Sequence, residues 1–74
     1  MSIVSVYSIF ADAGEAERIG RIVVEERLAA CVNLLRPVRS IYRSNGAIET
    51  ADEVAAIFKT IEAKADQLIS RIAD

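Results

Sequence analysis

The chain has 74 residues, nine basic and eleven acidic for a net charge of -2, a single cysteine and no histidine. That length confines it to one domain with a small core. One cysteine excludes an internal disulfide, and an acidic, dispersed charge pattern argues against nucleic-acid binding.

Ile3 to Phe10 is rich in β-branched and aromatic residues and reads as a strand. Ile3, Tyr7 and Ile9 fall on one face and Val4, Val6 and Phe10 on the other, so the pattern predicts burial on both sides. Its opening lacks the basic start of a signal peptide. No segment approaches eighteen consecutive apolar residues, so neither a leader nor a membrane partner is expected, and the expected compartment is the cytoplasm.

Asp12, with Glu15 three positions on, forms a capping-box pattern for a helix from about Ala13 to Arg27. Ala16, Ile19, Gly20 and Val23, with Val24 beside them, make its packing stripe. Gly20 sits in the middle, where it costs about 1 kcal/mol of helix propensity and suggests a close approach to a neighbouring element.

From Ala30 the pattern becomes extended through Val32, Leu34, Leu35, Val38, Ile41 and Tyr42, with Pro37 marking an edge or a bulge. Asn45-Gly46 signals a tight hairpin. The return strand takes Ile48, Thr50 and Val54 to Phe58, with an irregularity expected at Ala51-Asp52-Glu53. So long a hairpin must project beyond a small core. Thr60 then reads as the cap of a last helix whose stripe is Ile61, Ala65, Leu68, Ile69 and Ile72.

The order is β-α-β-β-α, an α+β, ferredoxin-like arrangement lacking its final strand. Without that strand the first strand becomes a sheet edge. Ile3 to Phe10 carries none of the lysines, prolines or charges that guard edges, so the expectation is a homo-oligomer.

Glu25-Glu26-Arg27-Leu28-Ala29-Ala30-Cys31-Val32-Asn33, followed by Pro37, Ser40-Ile41-Tyr42, Gly46-Ala47-Ile48, Glu53 and Lys59-Thr60, resembles the signature of the CutA-type divalent-cation tolerance family. The resemblance runs through the whole chain, which corresponds to about the first two-thirds of a typical member. It reads as a single domain over residues 1–74, incomplete at its C-terminus. The resemblance implies a trimer with long hairpins crossing between neighbours, and an association with copper or other divalent cations. Two departures stand out. Tyr42-Arg43-Ser44 replaces the usual Tyr-x-Trp, and the family's later histidine-containing His-Pro-Tyr-Glu-Val-Pro-Glu region is absent.

The candidate cleft residues between subunits are Cys31, Asn33, Ser40, Tyr42, Glu53 and Lys59. Asn33 offers an amide, Tyr42 a ring and hydroxyl, and Lys59 a charge suited to a small anionic ligand, with Glu53 a partner for Lys59 or for an arginine of another chain. Cys31 is the candidate metal ligand, although a lone strand cysteine is more often a buried hydrophobe. Arg36, Arg39 and Arg43 form a basic group suited to an anion or to a solvated face. With no histidine base, phosphate loop or activated nucleophile, an enzyme is not expected. The alternative to a cation-responsive trimer is an assembly scaffold, or a truncated relic without a ligand.

Overall fold

The computed structural model describes residues 2–74 as two helices packed on one face of a three-stranded antiparallel sheet. The elements are β1 (Ile3–Phe10), α1 (Ala13–Glu25), β2 (Cys31–Ser44), β3 (Ala47–Ile61), a 3-10 turn (Glu62–Lys64) and α2 (Ala65–Ala73). The strand order is β1-β3-β2, so β3 is central and both β1 and β2 are edges.

The period-2 register decides what is buried. β3 pairs Val6 with Phe58 and Val4 with Thr60 on one side, and Val32 with Phe58 and Leu34 with Ala56 on the other. These positions share the face under the helices, where Ala56 and Phe58 are sealed from solvent together with Val23, Ala29 and Leu68. Val6, Phe10, Ile19, Leu28, Val32 and Ile72 close the core around them.

The opposite face of the sheet carries no helix. Ile3 and Tyr7 lie on it at 77% and 62% exposure, joined by Ile9 and Leu35. The expectation of a first strand buried on both sides is therefore not met within one chain. Only the Val4, Val6 and Phe10 face is covered, because α1 and α2 both pack on the same side of the sheet.

Asp12 caps α1 as expected, its Oδ1 accepting from the Glu15 amide at 2.8 Å. The Glu15 carboxylate turns instead towards Arg18, 3.6 Å away, so the capping box is half made. The helix ends two residues earlier than the pattern predicts. Arg27 takes a left-handed conformation with φ of 62°; its amide reaches Val24 O and the Leu28 amide reaches Val23 O. That is a Schellman closure with arginine at the position glycine usually fills.

Gly20 lies against β2, and the close approach inferred from sequence is present: a Cβ built there would stand 2.9 Å from Val32 Cγ1. Valine is stiff at χ1 and yields poorly. Gly20→Ala is expected to gain the helix propensity of alanine, about 1 kcal/mol, and to lose about 1–3 kcal/mol by overpacking. A lowered denaturation midpoint is the expected reading; an unchanged or raised one shows that Val32 can move aside.

The hairpin turn at Asn45-Gly46 has positive φ at both residues, 51° and 79°, which suits the right-handed twist of its strands. The ladder irregularity is on β2 and not at Ala51-Asp52-Glu53. Leu35 pairs with Ala55 and Val38 with Glu53, leaving Arg36 and Pro37 opposite Val54. Pro37 has no amide to give the ladder, so the extra residue falls there and β3 runs unbroken. The hairpin carries the molecule to 43 Å in its long dimension against 22 and 20 Å in the others.

Thr60 does not cap the last helix. It is the penultimate residue of β3, 95% buried, and its hydroxyl donates to Leu28 O at 2.7 Å. A 3-10 turn then leads into α2. α2 is tied to the end of α1 by Arg71, whose Nε and Nη2 bond the two carboxylate oxygens of Glu26 at 2.9 and 3.0 Å. Lys64 Nζ adds a bond to Arg27 O at 2.7 Å.

The Arg71 hydrogen bonds hold the Glu26 carboxyl below its ordinary value of 4.5. A depressed carboxylate pKa stabilises the fold above the unfolded value, and that stabilisation is lost as pH falls through the folded one. The melting temperature of the parent chain should therefore exceed that of Glu26→Gln above pH 4.5. The gap should close on further acidification. A gap that ignores pH would show that the pair contributes packing and no charge.

Candidate functional site

β2 and β3 place all six candidate residues on the sheet face that the helices leave open. Cys31 is the direct ladder partner of Lys59, and Asn33 of Ile57 two positions on. Beyond the bulge the same face continues through Val38 opposite Glu53, Ser40 opposite Ala51 and Tyr42 opposite Glu49. The bulge inserts one residue on β2, and so Ser40 and Tyr42 share a side with Cys31 and Asn33 despite opposite parity in the sequence.

They form two separate groups. Cys31, Asn33 and Lys59 stand at the core end. Ser40, Tyr42 and Glu53 stand on the projecting arm, with Tyr42 roughly 30 Å from Cys31 at the rise of an extended strand. No small molecule spans both groups of one subunit. Glu53 and Lys59 are six residues apart on the same strand, roughly 20 Å, so the pairing of Glu53 with Lys59 within one chain does not form.

Cys31 is exposed and is no buried hydrophobe. The reason is register: as the first residue of β2 it points with Lys59 away from the helices. The groove at this end is lined by Cys31, Lys59, Arg27 and Lys64, with apolar walls from Ile3, Val24 and Ile61. A second groove, between α1 and the outer edge of β2, is lined by Cys31, Gly20, Val32 and Leu34. Sequence reasoning passed over Arg27 and Lys64 because they come from the end of α1 and the 3-10 turn. Only packing brings those elements beside Lys59.

Among the described residues, no three His, Cys, Asp or Glu side chains converge on one point. Of the three arginines singled out in β2, Arg39 is engaged with Asp52 at 3.0 Å and Thr50 Oγ1 at 3.0 Å. That ion pair lies on the helix side of the arm, exposed at both ends and of little energetic consequence. No helix among the described residues is long and apolar enough to cross a membrane.

Two helices on one face of an antiparallel sheet ordered β1-β3-β2, with a projecting β2–β3 arm, define an α+β, ferredoxin-like protein. A family model described as CutA1 divalent ion tolerance protein matches residues 4–74, and the chain belongs to that family. The divalent-cation tolerance protein CutA of Pyrococcus horikoshii is 43% identical over 67 residues, which cover 90% of this chain and 65% of that protein. The crystal structure of CutA from Xylella fastidiosa superposes with a TM-score of 0.92 at 38% identity, covering 97% of this chain and 69% of that one. A structure described as the periplasmic divalent cation tolerance protein CutA from Archaeoglobus fulgidus gives a TM-score of 0.88 at 36% identity, covering 95% and 68%. The chain thus spans about two-thirds of these proteins, and a quarter of the mouse and human CutA proteins it also matches.

Proposed function

We propose that the chain acts in divalent-cation tolerance as a cytoplasmic homotrimer that catalyses no reaction. The family match over residues 4–74 supports the tolerance role. It is supported by the uncovered sheet face, where Ile3, Tyr7, Ile9 and Leu35 present an apolar surface of the kind that marks association.

The described side chains of one subunit do not fit a resident copper or zinc ion. Such ions take three or four nitrogen or sulfur donors, and here Cys31 faces Lys59, a cation, across the ladder. Copper association in this donor set requires an ion shared between subunits, each giving Cys31. Neither a nucleic acid nor a membrane has a part in the reading.

Sedimentation combined with calorimetry tests it, using zinc, and copper(I) kept reduced. The expected result is a trimer that saturates below ~10 µM ion, with binding lost in Cys31→Ser while the trimer persists. A monomer, or a heat that Cys31→Ser leaves unchanged, overturns the shared-ion form. The same open face favours a second reading, an assembly scaffold, which predicts a trimer with no saturable ion binding at all.

A further inference from the structure

We infer that the groove between the end of α1 and the core end of the β2–β3 ladder binds a small organic oxyanion, a phosphate or carboxylate carrying an apolar group. The chain as a whole is net acidic, with eleven acidic against nine basic residues. The ten residues lining this groove include Arg27, Lys59 and Lys64 and no aspartate or glutamate. Three cations gathered without an acid in an acidic chain set a local potential opposite to that of the molecule, and a concave wall strengthens its pull on an anion.

Each cation is placed by a different element. Lys59 projects from the central strand opposite Cys31. Arg27 is the left-handed residue that closes α1. Lys64 is anchored by its bond to Arg27 O at 2.7 Å, which holds the turn before α2 against the end of α1. At the α1 terminus Glu26 is occupied by Arg71, and Glu25 lines the adjoining groove along the edge of β2 and not this one. Ile3, Val24 and Ile61 give the groove apolar walls, which favour a ligand with a hydrocarbon part over a bare inorganic ion. All of these residues come from one subunit, and the charge they attract is opposite to that of a free divalent cation. The inference therefore goes beyond the cation reading, and it rests on the groove staying open to solvent where the sheet face associates.

The test is a titration of the purified full chain with phenyl phosphate, inorganic phosphate and benzyl alcohol in low salt, followed by amide chemical shifts. The expected result is saturable shifts at residues 29–31 and 59–61, with phenyl phosphate binding more tightly than phosphate and benzyl alcohol not saturating. The dissociation constant for phenyl phosphate should lie below ~1 mM and rise with salt, because screening weakens exposed charges.

Two variants spare the fold. Lys59→Ala removes an exposed side chain, and Arg27→Gly places glycine where the backbone already has a φ of 62°. Each should weaken phenyl phosphate about tenfold, the loss of one charge-assisted contact, with circular dichroism unchanged. No saturation by ~10 mM, or the parent chain's affinity retained in both folded variants, overturns the proposal.

Discussion

Phe58→Ala is expected to unfold the isolated chain or bring it to the edge of unfolding. Phe58 is fully buried at the centre of β3, paired with Val6 on one side and Val32 on the other. Truncating a buried phenylalanine costs about 3–5 kcal/mol, through lost transfer energy and the cavity left behind. A domain of this length has a total stability of roughly 4–11 kcal/mol. The cavity cannot collapse easily, because Val6 and Val32 are fixed by strands and Val23 and Leu68 by helices.

The control is Ile57→Ala, the next residue on the same strand but on the face without helices. In dilute solution it should cost less, since Ile57 is only partly buried. A denaturant titration of both variants separates the faces. Equal losses would show that the open face is also sealed, by further copies of the chain. The Ile57→Ala loss should then shrink on dilution.

Leu68→Ala tests how the last helix is held. α2 has nine residues, fewer than the ~12–15 at which an isolated helix becomes even marginal. Leu68 is its one fully buried side chain. The expected loss is about 2–5 kcal/mol, and its form is informative. Ile72 and the Arg71–Glu26 and Lys64–Arg27 bonds remain as ties, but exposed polar ties contribute little. Hydrogen exchange should show the amides of residues 65–73 losing protection while those of the β1–β3 ladder keep theirs. Parallel loss in helix and sheet would show that α2 belongs to the same cooperative unit as the sheet.

Much of this architecture is legible in the residues. Asp12, Asn45-Gly46 and the alternation of Ile3 to Phe10 act through local backbone geometry, so the α1 start, the hairpin turn and β1 fall where the pattern places them. Gly20 signals a close contact because glycine inside a helix needs a reason, and Val32 supplies it. The helix ends were harder to read. Arg27 closes α1 in a conformation usually given to glycine, and Thr60 has the chemistry of a cap but spends its hydroxyl on Leu28 O.

The sequence by itself determined the order of elements, the family and the identity of the candidate site residues, because each depends on spacing along the chain. The tertiary structure alone decided which face each residue occupies. One inserted residue at Arg36-Pro37 shifts the pairing of β2, which brings Ser40 and Tyr42 to the side of Cys31 and Lys59. The packing of both helices on the other side then exposes Cys31 and gathers Arg27 and Lys64 beside Lys59. Strand parity is local, but the side of a sheet that is buried is set by where distant helices dock.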